Sequence, residues 1–174
     1  MAGLKGDYLG MNLTVDDLDQ ENIAYFRHCA SHQFHLQSCK SCKTLRYPPT
    51  TACPWCTGLE SDWVPVEGEG TVHSYAEVHH GIQPAFKERT PYLILLVDLD
   101  TQKGKPTEHE ALRVVGNLCT PDGKLAPPDQ VTRVGIGSRV RMVFSDISEG
   151  LSVPQWTIDE TAPQPAKPWR YPEA

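Results

Sequence analysis

The sequence predicts a mainly β protein composed of an N-terminal helix, a metal-binding ribbon and a small closed β-barrel. Two C-x-x-C pairs between Cys39 and Cys56 predict the ribbon. Five strand-like segments after Gly68, with no long helix between them, predict the barrel. The 15 prolines and 13 glycines among 174 residues fit short strands and loops better than a helical bundle. We place an extension with the helix at residues 1–35, the ribbon at 36–66, the barrel at 67–160 and a proline-rich tail at 161–174.

The first element is a helix predicted between Val15 and Ser31. Thr14 and the two aspartates that follow supply a side-chain acceptor and early negative charge, which favour a helix start. Apolar residues then recur at three- and four-residue spacing from Ile23 to Ala30. We expect this narrow apolar stripe to pack on its own domain, which is commoner than packing on a partner.

The strands are predicted from alternating or continuous apolar runs bounded by glycine, proline and polar residues. A short strand, QFHLQS, leads into the first cysteine pair. Between the third and fourth barrel strands, the segment TPDGKLAPPDQVTRVGIGS has room for a short strand or a helical turn. The tail has too many prolines to form a regular element. The predicted barrel strands are GTVHSYAEVHH, PYLILLVDLD, ALRVVGNLC, RVRMVFSDI and PQWTID.

The two cysteine pairs predict a structural zinc site with Cys39, Cys42, Cys53 and Cys56 as ligands. A two-residue gap lets one tight turn present both sulfurs to a single tetrahedral ion. Four protein thiolates close the coordination shell, so the expected role is to hold the ribbon together. Rubredoxin-type iron and a dithiol redox pair are the alternatives. The segment LRYPPT between the two pairs is expected to serve packing or docking.

No other set of residues forms a convincing catalytic group. Cys29 and Cys119 lie outside the cluster, in contexts that favour small buried side chains over nucleophiles. His73 and His79 share a strand face if alternation holds, but packing or surface histidines are the commoner case. The sequence has no nucleophile elbow, no H-E-x-x-H motif and no phosphate-binding glycine loop.

Charge and composition limit the location and the partners that we expect. The net charge is −6, with 22 acidic against 16 basic residues that form no block, which argues against a nucleic-acid-binding protein. The longest apolar run, YLILLV, is far too short to cross a bilayer, and the N-terminus lacks the apolar segment of a secretory signal. We therefore expect a cytoplasmic protein with reduced thiols.

Taken together and in this order, the motifs resemble the DUF35 family of acyl-CoA-associated OB-fold proteins. The resemblance covers about residues 20–158. It rests on RYPP between the cysteine pairs, the tryptophan before the GEGTVHSY entry to the barrel, and the late strand entry VGIGSRV. The resemblance implies a rubredoxin-like zinc ribbon followed by a C-terminal OB-fold barrel, with the family's metal site on the four cysteines above.

The resemblance also implies a function in acyl-CoA metabolism, such as lipid, aromatic or steroid degradation. Members of this family are non-catalytic accessory subunits of thiolases, acyltransferases or retro-aldolases that act on acyl-CoA thioesters. There the catalytic cysteine and histidine belong to the thiolase-fold chain, and the accessory chain supports assembly and shapes the acyl-CoA channel. A hetero-oligomer with two copies of each chain is the expected form. The loop TQKGKPTEHEAL and the tail around Trp169 and Tyr171 are expected to set partner choice.

A direct contact with CoA needs cations for its phosphates and apolar surface for its pantetheine arm. The candidates are two loop cations, two nearby aromatic residues and one arginine on the next strand: Lys87, Arg89, Phe86, Tyr92 and Arg113. Solvated loop charges are the commoner reading of such residues.

Two other functions fit parts of the sequence. Zinc ribbons and OB barrels both bind nucleic acid in other proteins, and that activity requires affinity that falls steeply with salt. An electron carrier with iron at the four thiolates requires a coloured metal-loaded protein.

Overall fold

The computed structural model describes residues 2–171. Met1 and residues 172–174, which belong to the predicted extension and tail, lie outside the described residues. The described part is mainly β, as predicted, and none of its helices has the length and apolar character needed to cross a membrane.

An antiparallel hairpin that the sequence did not predict precedes the helix. Its strands are β1 (Leu4–Tyr8) and β2 (Met11–Val15), joined by the two-residue turn Leu9–Gly10 with positive φ at both positions. Thr14 and Val15 belong to this hairpin and cannot start the helix, and helix α1 spans Gln20–Ala30. The predicted start near Val15 was therefore too early.

The N-cap of the helix is Asp19 and not the predicted Thr14. The Asp19 carboxylate accepts a hydrogen bond from the Asn22 amide at 3.2 Å, which satisfies one of the free donors of the first turn. Ile23 and Cys29 are fully buried on the apolar stripe, which packs on the chain itself as predicted.

The ribbon is a three-stranded antiparallel sheet. Its strands are β3 (His35–Cys39), which is the predicted QFHLQS strand, β4 (Leu45–Arg46) and β5 (Ser61–Pro65). Strand β3 lies in the middle, and it carries the first cysteine ligand at its end. Strand β5 was not predicted.

The five predicted strands form the barrel, and their order is that of an OB-fold. They are β6 (Glu69–Val78), β7 (Tyr92–Leu99), β8 (Arg113–Asn117), β9 (Arg139–Ser148) and β10 (Leu151–Ile158). Their order across the sheet is β10-β9-β6-β7-β8. A parallel bridge between Leu118 and Trp156 joins the end of β8 to β10 and closes the barrel.

The ribbon and the barrel share one core. Leu36 of the ribbon and Leu95 of the barrel are both fully buried in the same cluster, with Trp156 as the largest fully buried side chain. Helix α2 (Pro128–Val131) occupies the segment where a helical turn was expected, and its Val131 is buried in that core. Apolar burial in one cluster makes the stability of the two parts interdependent.

The described part of the tail, residues 161–171, forms no helix or strand, as predicted, but it packs on the barrel in a way that the sequence did not indicate. Trp169 pairs with Ile136 through backbone hydrogen bonds. The Arg170 guanidinium donates to the Val131 carbonyl oxygen at 2.7 Å and forms an ion pair with Glu77 inside the barrel end. These contacts fix the tail across one end of the barrel.

Candidate functional site

Four thiols meet at one end of the ribbon. Cys39 ends strand β3, and the other three ligands lie in the loops that follow, with all four Sγ atoms within 4.8 Å of one another. The Sγ atoms of Cys39 and Cys56 are 3.5 Å apart, and those of Cys42 and Cys53 are 3.7 Å apart. A tetrahedral site with metal–sulfur bonds of about 2.3 Å has sulfur–sulfur edges of about 3.8 Å. The four cysteines can therefore hold one metal ion.

The two cysteine turns have the same backbone geometry although their sequences differ. The Lys43 amide donates to the Cys39 carbonyl oxygen at 2.9 Å, and the Thr57 amide donates to the Cys53 carbonyl oxygen at 2.9 Å. Lys43 and Thr57 have φ values of 61° and 60°, in the left-handed region. This reversal sends the chain back after each pair, so both sulfurs of a pair point to one place.

The backbone of the turns favours thiolates, but the cluster resists full ionisation. The Cys42 amide lowers the pKa of the Cys39 thiol, and the Thr44 hydroxyl and amide lower the pKa of Cys42 to about 6. At Cys56 the Gly58 amide lowers the pKa, but the neighbouring thiols outweigh it and raise the pKa to about 11. Negative charges this close repel one another, so a bound cation is what allows all four sulfurs to ionise.

The segment LRYPPT, expected to serve packing or docking, packs inward and ties the ribbon together. Arg46 is only 3% exposed, and it donates to Gln37 Oε1 at 2.9 Å and to Ser61 Oγ at 3.2 Å. The Leu45 amide donates to Gln102 Oε1 at 2.7 Å, and Gln102 Nε2 donates back to the Leu45 carbonyl oxygen at 2.9 Å. A barrel side chain thus pairs with the edge of the ribbon sheet and fixes the four-cysteine cluster relative to the barrel.

Four of the five candidate CoA residues lie close together. Phe86 and Tyr92 stack with ring centroids 5.0 Å apart, and Lys87 and Arg89 are exposed on the same short loop. Tyr8, from the N-terminal hairpin, adds a third ring 6.3 Å from Phe86. Sequence reasoning missed Tyr8 because no local pattern links the hairpin to this loop. The group offers an apolar surface beside two cations.

Arg113 does not lie with the other four. It pairs with Asp98, and the distance from its Nε to Asp98 Oδ1 is 2.8 Å. Asp98 lies six residues along β7 from Tyr92, which corresponds to about 20 Å of extended strand. Arg113 of β8 therefore lies beside the end of β7 opposite Tyr92, where it compensates the negative charge of Asp98.

The remaining thiols and histidines form no catalytic group among the described residues. Burial raises the pKa of both Cys29 and Cys119 to about 12, which keeps these thiols protonated and unreactive. A bulge at His73 interrupts the alternation of β6, and that side chain lies 3.1 Å from Asp98 Oδ2. His79 lies beyond the end of β6, so the two histidines do not line a common pocket.

Comparisons with known proteins agree with the barrel and with its family. The family model described as "ChsH2, C-terminal OB-fold domain" matches residues 63–145. A curated relative from Thermomonospora curvata, "Probable enoyl-CoA hydratase alpha subunit", is 36% identical over 101 residues. That match covers 58% of this chain and 28% of the relative, so the chain matches less than a third of that protein's length.

Two solved structures are similar to this chain. A chain of the "Ltp2-ChsH2(DUF35) aldolase" is 30% identical with a TM-score of 0.63, and the match covers 83% of this chain and 98% of that one. A DUF35 protein of unknown function from Sulfolobus solfataricus is 15% identical with a TM-score of 0.49, over 78% and 83% of the two chains. The likeness to the aldolase chain extends over 98% of its length at 30% identity. The chain belongs to the DUF35 family of OB-fold proteins.

Proposed function

We propose that this chain is a non-catalytic accessory subunit of a thiolase-type enzyme, whether thiolase, acyltransferase or retro-aldolase, that acts on acyl-CoA thioesters. The observation that carries this proposal is the 30% identity over 98% of a chain of the Ltp2-ChsH2(DUF35) aldolase, a protein whose name joins a DUF35 component to a second component. In this role the chain supports assembly and shapes the acyl-CoA channel, while the partner supplies the reacting groups.

The chemistry of the described residues supports a role without catalytic residues of its own. Thiolase-type reactions need a reactive thiol, whereas the two thiols outside the cluster have pKa values raised to about 12 by burial. The four clustered cysteines are suited to a metal and are too crowded to act as independent nucleophiles.

The proposed metal is a structural zinc ion held by Cys39, Cys42, Cys53 and Cys56. Sulfur–sulfur separations of 3.5 and 3.7 Å support a tetrahedral four-thiolate site, which zinc prefers and which leaves no position for substrate. Metal analysis of protein purified without added metal tests the identity. One equivalent of zinc in a colourless protein supports the proposal, whereas a coloured protein with one equivalent of iron contradicts it.

The proposed CoA contact is the aromatic stack of Phe86 and Tyr92 with the cations of Lys87 and Arg89. The double substitution Lys87→Ala and Arg89→Ala should raise the KM of the reconstituted complex for acyl-CoA while leaving the kcat nearly unchanged. Lys40, which pairs with Asp62 in the ribbon at 3.5 Å, provides the matched control Lys40→Ala. An unchanged KM in the double variant would remove these residues from the CoA site.

The function is tested by purifying the tagged chain from its native cells. We expect co-purification of a thiolase-fold protein whose acyl-CoA activity is lost when the two are separated and returns when they are recombined. Mass measurement of the complex tests for two copies of each chain. A thiolase-fold partner that is fully active alone contradicts the proposal.

A nucleic-acid-binding module is the alternative from another functional class. OB-folds bind single strands with aromatic residues and cations on the outside of the second and third strands. Here the middle of that side of β7 and β8 is aliphatic, with Ile94, Leu96 and Val115, while its single aromatic residue and its arginine lie at opposite ends and the arginine is paired with Asp98. Titration with single-stranded DNA at two salt concentrations decides the matter, because tight binding that falls steeply with salt would favour the alternative.

A further inference from the structure

Strand β7 is apolar on both of its faces. Its inward residues, Leu93, Leu95, Val97 and Leu99, are fully buried in the barrel core. The strands of an antiparallel sheet with one face in water normally alternate, with polar residues on the outer side. The outer side of β7 instead includes aliphatic residues. A strand with this pattern is typical of a sheet covered on both faces.

The register extends this apolar surface across three strands. Leu96 is paired with Val115 of β8, and Ile94 is paired with Ala76 of β6, so these side chains lie on the same side of the sheet. Val115 is 49% exposed. We call this surface the outer face and define it by its six apolar or aromatic residues, Ala76, Val78, Tyr92, Ile94, Leu96 and Val115; the same register places the polar Ser74 and Asn117 at its margins.

No described helix or strand packs over the centre of the outer face, although Tyr8 of β1 reaches Phe86 at the Tyr92 end. Strand β7 contacts its neighbours β6 and β8 and the helix α2. Helix α2 closes one end of the barrel, because its Val131 is buried in the core beside the inward residues of β7. None of the six outer-face residues belongs to either hydrophobic core among the described residues. Val115 is exposed, and Ile94 and Leu96 are partly exposed. A contiguous aliphatic surface open to solvent on a sheet commonly marks a protein interface.

We infer that the outer face is the surface on which the catalytic subunit docks, an inference that rests on the proposed function. The matching surface of the partner is apolar at its centre, and the loop with Lys87 and Arg89 lies at the edge, where both cations stay available for the CoA phosphates. This arrangement follows the usual anatomy of an interface, in which an apolar core is surrounded by a polar rim.

The charges around the outer face favour this partner over a second copy of the chain. Lys87, Glu88 and Arg89 give one end an excess of positive charge, although the whole chain carries −6. At the other end, Asp98 is already compensated by Arg113 at 2.8 Å. The CoA phosphates complement the positive end of the face, so a partner that supplies the reacting groups for the acyl-CoA thioester fits this edge, whereas a second copy supplies none.

The position of Tyr92 connects the outer face to the proposed CoA contact. Tyr92 lies at the end of the face, and its ring stacks on Phe86 of the loop that carries Lys87. A subunit docked on the outer face would therefore have this loop at its edge. That geometry allows the two chains to enclose an acyl-CoA channel between them.

The test measures binding of the co-purified thiolase-fold subunit to variants of the outer face. Val115→Arg and Ile94→Lys should each weaken binding at least about tenfold, because each places a charge in the apolar centre of the interface. Both side chains point away from the core, so the melting temperature of the free chain should stay close to that of the unaltered protein. Leu18→Arg is the matched control, since Leu18 is 87% exposed at the start of α1, away from the outer face.

A second measurement uses the unaltered protein and so does not depend on folding of the variants. Hydroxyl-radical footprinting with and without the subunit should show protection of Ile94, Leu96 and Val115, with no change at Leu18. Absence of protection, or binding by Val115→Arg within about twofold of the unaltered chain, overturns the inference while leaving the proposed function intact. Self-association that Val115→Arg abolishes overturns it in favour of a second copy. Failure to find a thiolase-fold subunit contradicts the proposed function itself, and the inference with it.

Discussion

Replacing Cys53 with serine tests whether the metal centre is structural. Cys53 is 1% exposed, and its Sγ lies 3.7 Å from that of Cys42. Serine has nearly the same size, but its hydroxyl stays protonated near neutral pH and is a poor zinc ligand. The Cys53→Ser substitution therefore removes one of four ligands with little change in packing.

The magnitude follows from the number of ligands and from the shared core. Structural zinc sites contribute about 10–16 kcal/mol in small zinc-finger peptides, and one ligand in four represents roughly 2.5–4 kcal/mol. Leu36 of the ribbon is buried in the same cluster as Leu95 of the barrel, so loosening the ribbon lowers the stability of both. For a chain of this size, each kcal/mol lowers the melting temperature by about 2–4 °C, so we expect a fall of about 5–16 °C.

Thermal unfolding followed by circular dichroism, together with the zinc content per chain, measures the effect. Cys119→Ser is the matched control, because Cys119 is also fully buried but lies outside the cluster. It should cost about 1–2 kcal/mol for burying a hydroxyl, and it should keep a full equivalent of zinc. A Cys53→Ser protein that keeps its zinc and melts within about 2 °C of the unaltered chain would refute the structural role. Loss of turnover in a Cys53→Ser protein that retains its fold and its partner would do the same.

Three further predictions follow from contacts elsewhere in the chain. Arg170→Ala removes the cation that pairs with Glu77 and should lower the free energy of unfolding by about 1–3 kcal/mol. Amide exchange over residues 165–171 should become faster. Unchanged exchange would show that other contacts hold the tail. Burial, and then the His35 ring stacked at 4.2 Å, lower the pKa of His28 below its ordinary value. As the pH falls, the unfolded chain protonates at His28 before the folded chain does, so the free energy of unfolding should fall below about pH 6.5. Urea midpoints at about pH 7.5 and about pH 5.5 measure the loss. An equal loss in His28→Phe would show that His28 is not its cause. Leu95→Ala empties a fully buried position and should cost about 2–5 kcal/mol in urea unfolding, whereas a cost below about 1 kcal/mol would contradict its place in the core.

Much of the barrel could be predicted from the sequence, because local patterns carry that information. The run YLILLV has strand length and apolar character whichever elements surround it, and five such segments without long helices between them leave few architectures. The start of α1 was placed too early because Thr14 can cap a helix or pair in a hairpin. Its pairing with Lys5 in β1 decides the outcome.

The candidate sites were predictable to the extent that they depend on local sequence patterns and not on pairing between distant segments. Ligand spacing within the cysteine pairs is local, so the cluster could be identified before its geometry was known. Arg113 was grouped with Tyr92 although the strand register places them at opposite ends of β7. The attachment of Arg170 to Glu77 joins residues far apart in the chain, and no local pattern indicates it.

The sequence by itself determined the cluster of four cysteines, the five barrel strands and the family, because each is encoded in short-range spacing or in the order of motifs. Only the tertiary structure decided which side of each strand faces the core, and hence that Ile94, Leu96 and Val115 form one apolar surface outside it. It also decided that Gln102 fixes the ribbon to the barrel. Register and closure depend on pairings between distant segments, and their free energy comes from burying the whole core at once.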